Sequence, residues 1–392
     1  MNAPRPTGSL NGTSGKKLVK IAQSVIKIRW PTPARQGLRH RFCTVGFARP
    51  AAAASEAAFG AVYTLTNAAS GNEVLVYNRS SDGSIAFQGA FATGGSGSGA
   101  GLGSQTALIL SANNHWLFAV NAGSDQVSAF AVNADGLELV DVVDSGGTLP
   151  VSLTAYKDWL YVLNAGGSGN ISGFAIGQDG SLSPLAGSTQ PVSNGGVGAA
   201  PGLAQVAFNS DGSALVVTEK TTNLLDTYQV VDGLASAPVT HPSEGATPFG
   251  FAFDRHNHAI VSEASGSVSS YQIEGSEFSV ISSAVGTTQV AACWIALSKN
   301  GKFAYTTNAG SGSISSYRIA ADGSLALLDA TAGLTGPGSS PLDMAFSNNG
   351  SYLYALASGA HTITIFQIAA DGSLSDLGAV DVPVGVVGLA AR

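Results

Sequence analysis

From residue 57 to the end of the chain, short runs in which apolar residues alternate with small or polar ones follow one another. A period of two places successive side chains on opposite faces of a β-strand, so each run predicts a strand. Asp-Gly and Asn-Gly pairs separate many of the runs, as at Asp322-Gly323 and Asn300-Gly301, and such pairs are typical of tight turns between strands. The pattern therefore predicts an all-β region.

The runs form a four-strand unit that recurs through residues 57–392. The clearest copy contains runs at 294–301, 303–311 and 313–319, followed by an Asp-Gly-Ser-Leu turn at 322–325. The residues that end the second strand of each unit mark seven repeats: Asn67, Asn121, Asn164, Glu219, Glu263, Asn308 and Ala357. Their spacing of 43 to 55 residues is that of propeller blades, with loops around 94–104 and 187–202 accounting for the two longest intervals. We predict a seven-bladed β-propeller with four-stranded blades.

The two ends of the repeat region predict how the ring closes. The first unit begins at its second strand, residues 61–67, and no first strand precedes it. The C-terminal run at 384–391 has the pattern of a first strand without the rest of its unit. We expect this run to join the N-terminal blade, which would leave no open sheet edge.

Charge is distributed unevenly along the 392 residues. Residues 1–55 contain ten Lys and Arg and no acidic residue, whereas the remainder contains 8 basic and 25 acidic residues. An acidic domain repels phosphate, so nucleic acid and anionic membranes are not expected as partners of the repeat region. No later run approaches the roughly 18 apolar residues that a membrane span needs.

The basic segment 1–56 is predicted to be a leader outside the fold. It ends in the small residues 51–55, which are typical of a signal-peptidase site, and export to the periplasm or exterior is the first expectation. An organelle leader, a misassigned start, a functional basic arm and a cytoplasmic location stay open. Cleavage would leave Cys293 as a single thiol, which cannot form an internal disulfide and is expected to be buried.

Candidate site residues come from the face on which inner strands begin and second strands end. Glu219 and Glu263 follow consecutive second strands, so they could meet across the channel mouth as acid and base. The predicted substrate-binding residues on the same face are Gln105, Asn121, Asn164, Gln205, Trp294, Asn308 and Asp343. The alternative is that the second-strand Asn and Glu residues cap the following loops.

Metal chemistry has little support in the sequence. No His-Glu-x-x-His or Cys-x-x-Cys arrangement is found, and His256 and His258, which are spaced like a metal pair, fall in a turn away from the predicted site. Calcium held by the carboxylates is a minor alternative to the absence of any cofactor. The Gly-rich stretch 94–103 lacks the Lys-Ser/Thr of a phosphate loop, and we interpret it as a flexible connection between blades.

Three segments resemble the lactonase family of seven-bladed propellers, which includes bacterial 6-phosphogluconolactonases and fungal carboxymuconate-cyclising enzymes. They are 293–298 with 308–312, and 208–212 leading to Glu219. Active members are similar to one another in a Pro-His strand start, a Gly-Pro-Arg-His strand start and a later Glu. Here the corresponding segments at 103–108 and 201–206 contain no His or Arg, and only Glu219 matches.

The resemblance implies a lactonase-like hydrolase of carbohydrate metabolism, and we expect a neutral or weakly charged lactone as substrate. Glu219, helped by Glu263, would be the general base. Lys220 is the one cation beside these residues, so a doubly charged phosphate is not expected. A non-catalytic exported binding propeller, acting on another ligand at the same mouth, is the main alternative, and a calcium-assisted lactonase is the third. We expect a monomer.

Overall fold

The computed structural model of the chain describes residues 59–275 and 277–392. The predicted leader, residues 1–56, lies outside this part. Every regular element described is a β-strand, and the strands form seven antiparallel sheets arranged as the blades of a ring. The prediction of an all-β, seven-bladed propeller is confirmed. No helix in the described part of the chain has the length and apolarity needed to cross a membrane.

The strands of blades 1 and 2, in chain order, are β1 (Gly60–Leu65), β2 (Glu73–Arg79), β3 (Ile85–Ala92), β4 (Leu108–Leu110), β5 (Trp116–Asn121), β6 (Gln126–Asn133) and β7 (Gly136–Asp144). Those of blade 3 are β8 (Pro150–Tyr156), β9 (Trp159–Asn164), β10 (Asn170–Ile176), β11 (Leu182–Pro184) and β12 (Gln190–Pro191). Those of blade 4 are β13 (Leu203–Phe208), β14 (Ala214–Glu219), β15 (Leu224–Val231), β16 (Leu234–Ala235) and β17 (Val239–Pro242). In blades 3 and 4 the outer strand is split into two short pieces that pair with the same neighbour.

Blades 5 to 7 contain β18 (Pro248–Phe253), β19 (His258–Glu263), β20 (Ser267–Glu274), β21 (Glu277–Gly286), β22 (Ala292–Leu297), β23 (Phe303–Asn308), β24 (Ser313–Ile319), β25 (Leu325–Leu334), β26 (Pro341–Phe346), β27 (Tyr352–Ala357), β28 (Thr362–Ile368) and β29 (Leu374–Asp381). The last strand, β30 (Val387–Ala391), belongs to blade 1. The inner and second strands are almost entirely buried, so the core lies between the facing blades.

Ring closure occurs as predicted. Strand β30 pairs with β1 in antiparallel register, with Tyr63 opposite Ala390. The hydroxyl of Thr64 donates to the carbonyl oxygen of Gly388 at 2.7 Å, and the Arg79 guanidinium donates to backbone carbonyls at both chain segments, those of Phe59 and Arg392. Blade 1 is thus built from both ends of the repeat region.

Neighbouring blades are held together by a contact that the repeated Asp-Gly turn creates. Gly372 of blade 7 packs against the Phe303 ring of blade 6, where a Cβ atom would lie 2.6 Å from Cδ1. The carbonyl oxygen of Gly372 accepts a hydrogen bond of 2.8 Å from the buried Tyr305 hydroxyl, also of blade 6. Tyr161 donates in the same way to Gly233, and Tyr354 to Gly83. The turn motif therefore also joins adjacent blades.

Candidate functional site

The polar residues that end the second strands lie between blades and do not face the channel. Asn121 is fully buried, and its Oδ1 accepts a hydrogen bond of 2.6 Å from the Thr93 hydroxyl at the end of blade 1. Its Nδ2 donates to the Ser128 hydroxyl on the third strand at 2.7 Å. Gly95 leaves room for this side chain, because a Cβ atom there would lie 2.5 Å from Asn121 Cγ.

Asn164 and Asn308 occupy the same position in blades 3 and 6. The Nδ2 atom of Asn164 donates to the Ser172 hydroxyl and to the Ser145 carbonyl oxygen, both at 3.2 Å. The Nδ2 atom of Asn308 donates to the Ser315 hydroxyl at 2.9 Å. All three Asn side chains therefore hydrogen-bond to the third strand of their own blade, and those of Asn121 and Asn164 also hydrogen-bond to the preceding blade. These contacts agree better with a structural role than with substrate binding.

Glu219 lies in the corresponding socket between blades 3 and 4 and is fully buried. Its Oε1 accepts from the Ser193 backbone N–H at 3.1 Å, and its Oε2 accepts from the Ser193 and Thr222 hydroxyls, both at 2.6 Å. Asp226 lies beside it, and its Oδ2 accepts from the same Ser193 N–H at 3.0 Å. Burial, followed by the hydrogen bond and charge of Glu219, raises the pKa of Asp226 to about 8. Asp226 therefore carries its proton at neutral pH.

Glu263 occupies the next socket, between blades 4 and 5. It is fully buried, its Oε2 accepts from the Ser267 hydroxyl at 2.8 Å, and burial raises its pKa to about 7. Gly245 packs directly against its carboxyl group. No hydrogen bond joins Glu263 to Glu219 in the described structure. The two carboxylates do not form the acid-base pair that the sequence suggested, because each is directed into its own inter-blade socket.

The channel mouth is instead crossed by residues 103–106, which we call the plug segment. The side-chain amide of Gln105 hydrogen-bonds to the backbone of Ile295 in blade 6, and its own N–H donates to the Ala204 carbonyl oxygen in blade 4 at 3.1 Å. The Ser104 hydroxyl donates to the Val151 carbonyl oxygen in blade 3 at 2.8 Å. The Gly-rich stretch before it is also hydrogen-bonded, because Asn67 binds Ser98 and Ala100. It differs in this from the predicted flexible connection.

Gln205 and Asp343 lie on the channel wall but are also engaged. The Gln205 amide hydrogen-bonds to both backbone groups of Phe251, at 2.9 and 2.7 Å. Asp343 is buried, and its Oδ1 accepts a long hydrogen bond of 3.4 Å from the Thr106 N–H of the plug segment. Burial raises the pKa of Asp343 to about 7, opposed by backbone hydrogen bonds from Thr106 and Gly388. These residues support the plug and the inner strands.

The remaining predicted residue, Trp294, belongs to a group of side chains beside the plug. We call Lys220, Phe249, Cys293 and Trp294 the channel-mouth cluster. The rings of Phe249 and Trp294 have centroids 4.7 Å apart, and Trp294 Nε1 donates to the Ser104 carbonyl oxygen at 2.8 Å. The cluster is extended by partly exposed small or aliphatic residues: Ala264, Ala291, Ala309 and Leu342. Phe249, Cys293 and Trp294 are themselves buried, so these partly exposed residues and Lys220 are the part of the cluster that reaches the surface.

Lys220 is the one charged side chain of this cluster, and it remains partly exposed. Its Nζ lies 4.9 Å from the centroid of the Phe249 ring and donates to the Gly103 carbonyl oxygen of the plug segment. Burial lowers the pKa of Lys220 to about 8, whereas burial raises that of Cys293 to about 12. An amine with this pKa can give and take protons near neutral pH.

The sequence identified Lys220 only as a nearby cation, and it did not identify Phe249 or the carbonyl groups of the plug. One signal was available in the sequence. Lys220 directly follows Glu219, a residue that ends a second strand, in a repeat region with few cations. The plug had no signal beyond the length of its Gly-rich connection. Among the described residues, no group of three or more His, Cys, Asp or Glu side chains is placed to hold a metal ion. The calcium alternative stays a prediction.

Comparison with known proteins adds family information to this geometry. The model of the family described as "Lactonase, 7-bladed beta-propeller" matches residues 61–196 and 96–388, which together span most of the chain. A search of curated proteins finds no match.

Solved structures show the same fold at low sequence identity. A candidate 6-phosphogluconolactonase from Bacteroides fragilis is 21 % identical, with a TM-score of 0.65 over 85 % of this chain and 98 % of its own. The periplasmic gluconolactonase of Pseudomonas aeruginosa is 18 % identical, with a TM-score of 0.63 over 84 % and 99 % of the two chains. A protein from Lactobacillus plantarum is 18 % identical, with a TM-score of 0.68 over 85 % and 100 %.

Proposed function

Because the chain belongs to the family of seven-bladed β-propeller lactonases, we propose that it binds a neutral or weakly charged lactone at the channel-mouth cluster and hydrolyses it. The observation that carries the proposal is the position of Lys220, whose partly exposed Nζ lies above the Phe249 ring. Apolar and aromatic side chains with a few positioned polar groups are the usual lining of small-ligand sites. The single cation suits a substrate without a phosphate group.

Lys220 would act first as a general base and then as a general acid. The neutral amine takes a proton from a water molecule as the oxygen of that water attacks the lactone carbonyl carbon. The ester C–O bond of the ring then breaks, and the leaving ring oxygen takes a proton from the Lys220 ammonium group. Water is consumed, a hydroxy acid is formed, and the lysine returns to its starting state. A pKa of about 8 suits both steps.

Lys220 replaces Glu219 as the proposed base for a geometric reason. The Glu219 carboxylate is fully buried, and both of its oxygen atoms already accept hydrogen bonds from Ser193. No water molecule could reach it without separating blades 3 and 4. A base must approach the proton that it removes, and the amine of Lys220 meets that condition at the surface.

Lactone hydrolysis by the full chain, followed at constant pH over a panel of neutral lactones, tests the proposal. We expect a rate that rises with pH through about 8 and falls about 100-fold or more in Lys220→Met. Lys157→Met, which removes an exposed cation of blade 3, is the matched control and should hydrolyse normally. Equal rates in wild type and Lys220→Met would overturn the role of Lys220, and loss of activity with a chelator would favour the calcium alternative.

A second candidate function is binding without hydrolysis. It is favoured by the plug segment, whose hydrogen bonds to blades 3, 4 and 6 tie it across the channel mouth beside Lys220. Under this alternative, no lactone of the panel is hydrolysed, but a lactone or its hydroxy acid raises the melting temperature of wild type more than that of Lys220→Met. Absence of both hydrolysis and binding would reject the channel-mouth cluster as a site.

A further inference from the structure

The face opposite the channel-mouth cluster carries a crevice that recurs between neighbouring blades. Each copy is lined by the turn between the first two strands of one blade, the same turn of the next blade, and the end of the third strand of that next blade. Three copies have volumes of about 510 Å³ between blades 2 and 3, 350 Å³ between blades 5 and 6, and 220 Å³ between blades 6 and 7. The crevice therefore recurs because equivalent turns and strand ends lie side by side in successive blades.

The crevice between blades 5 and 6 differs from the others in its charge. Arg255, Lys302 and Arg318 line it together with His256. The residue that corresponds to Lys302, directly before the second strand, is Asp158 in the crevice of blades 2 and 3 and Ser351 in that of blades 6 and 7. The one that corresponds to Arg318, directly before the isoleucine that ends the third strand, is Ala175 or Gln367. The cations at these positions are therefore particular to this crevice and are not a feature of every repeat.

These cations stand out because the domain is acidic. After residue 55 the chain has 8 basic and 25 acidic residues, and three of the 8 line this one crevice. Bringing like charges together has an electrostatic cost that a bound anion would remove. None of the three makes a salt bridge to a carboxylate in the described structure, where the one ion pair joins His258 and Asp254 at 2.8 Å.

Three carboxylates share a cavity with these cations: Asp254 lines the crevice itself, and Asp329 and Asp371 line a neighbouring cavity with Arg318. Asp329 Oδ1 accepts from the Thr331 N–H at 2.8 Å and forms no salt bridge in the described structure. The oxygens of Asp254 accept hydrogen bonds from His258 Nδ1 and from the backbone N–H of His256, both at 2.8 Å. Hydrogen bonds from Ser373 hold the pKa of Asp371 below its usual range, and Arg318 contributes less to this shift. None of the three carboxylates forms a salt bridge with Arg318 in the described part of the chain, so its guanidinium can still bind a ligand.

Two contacts orient the cationic groups. The Arg318 guanidinium lies over the Phe303 ring at 5.5 Å from its centroid, so an aromatic ring supports it from one side. Arg255 Nε donates to His256 Nε2 at 3.0 Å, and no other side chain among the described residues hydrogen-bonds the terminal nitrogens of that guanidinium. Guanidinium groups that are held this way suit the paired oxygens of a tetrahedral dianion.

We propose that the crevice between blades 5 and 6 binds a phosphate group, either as free phosphate or as the phosphate monoester of a small polar molecule. Arg255, Lys302 and Arg318 supply the charge, and the volume of about 350 Å³ has room for more than a phosphate ion. The site is independent of lactone chemistry, because it lies on the opposite face from Lys220. It also accounts for the cations that the sequence concentrates on blades 5 and 6.

Isothermal titration of the full chain with inorganic phosphate, and separately with a hexose monophosphate, tests the proposal at a fixed ionic strength set with sodium chloride. We expect saturable binding that weakens about tenfold in Arg318→Gln and again in Lys302→Gln, because each change removes a charge-assisted hydrogen bond. Tighter binding of the hexose monophosphate would identify a monoester as the ligand, and equal binding would identify free phosphate.

The matched control is Lys157→Gln, which removes an exposed cation from the corresponding crevice of blades 2 and 3. It should leave phosphate binding unchanged. An equal loss in this variant would show that phosphate responds only to total charge, and that result would overturn the proposal, as would the absence of saturable binding in wild type. Lys302 is exposed, so Lys302→Gln keeps the test valid even if Arg318→Gln loses stability together with its contact to Phe303.

Discussion

The side-chain amide of Gln105 hydrogen-bonds to both backbone groups of Ile295 across the channel. Its Oε1 accepts from the Ile295 N–H at 3.0 Å, and its Nε2 donates to the Ile295 carbonyl oxygen at 2.9 Å. Blades 2 and 6 are thereby joined as a neighbouring strand would join them. Gln205 binds the backbone of Phe251 in the same way, so two amide side chains satisfy inner-strand groups that face the channel.

Gln105→Ala is expected to lower the free energy of unfolding by about 2 to 5 kcal/mol, because it leaves the N–H and C=O of Ile295 buried without partners. Gln205→Ala should have a similar effect through Phe251. Urea unfolding followed by tryptophan fluorescence measures both. Gln229→Ala, at an exposed position of β15, is the control and should change stability by less than about 0.5 kcal/mol. A Gln105→Ala chain as stable as this control would show that the plug does not join the blades.

The raised pKa of Asp226, which lies beside Glu219, predicts a pH dependence of stability. The pKa of Asp226 is about 8 in the folded chain and 3.8 in a free side chain. Between these values the native state binds a proton that the unfolded state has released, so stability falls as pH rises through this window. Asp226→Asn cannot ionise and should make that fall smaller, leaving the part due to Glu263 and Asp343, whose pKa values burial raises to about 7. At pH 8 it should exceed wild type by an amount on the order of 1 to 3 kcal/mol.

Glu219→Gln separates this effect from a simple loss of charge. Glu219 accepts three hydrogen bonds, from the Ser193 N–H and from the Ser193 and Thr222 hydroxyls. A glutamine offers one acceptor oxygen in place of two, so this variant should be less stable than wild type at every pH. Melting temperatures from pH 5 to 9 measure both variants. If Asp226→Asn shows the same pH dependence as wild type, Asp226 is not the group that titrates.

The contact between Gly372 and Phe303 predicts a large effect of adding one methyl group. Gly372→Ala must accept a φ of 90° and a Cβ atom 2.6 Å from the Phe303 ring, so we expect a loss of about 2 to 4 kcal/mol. Gly378→Ala is the matched control, because its φ is 103° but nothing lies within 4 Å of its Cβ position. It should lose only about 1 kcal/mol. Equal losses in urea unfolding would assign the effect to the backbone alone.

The sequence predicts the number of blades and their closure because both follow from local patterns. A hydrophobic pattern with a period of two predicts each strand, and the spacing between equivalent residues such as Asn121 and Asn164 predicts each blade. The direction in which the side chains at the ends of the second strands point is not determined by a local sequence pattern. It depends on how a second strand faces the preceding blade, and the sequence shows it only in the third-strand serines that these residues bind, Ser128, Ser172 and Ser315.

The candidate site was harder to predict for the same reason. Glu219 and Glu263 occupy equivalent places in the repeat, so sequence reasoning placed them together, whereas the ring holds each in a separate socket. Gln105 was predicted to bind substrate, and its hydrogen bonds to Ile295 depend on a crossing of the ring that no periodicity encodes. Lys220 becomes a candidate only when its burial beside Phe249 is known.

Removal of residues 387–392 should abolish cooperative unfolding, because blade 1 would lose its inner strand. The deletion exposes the edge of β1, leaves the Thr64 hydroxyl without the Gly388 carbonyl oxygen, and removes the apolar packing of Val387 and Leu389. Thr64→Val removes only the hydroxyl contact and should lose about 1 kcal/mol. Val384→Ser changes an exposed residue before the strand and should be neutral.

A synthetic peptide of residues 384–392, added to the shortened chain, should restore a cooperative melting transition if the strand itself is what closes the ring. A shortened chain that unfolds like wild type without the peptide would show that the ring is stable without this strand.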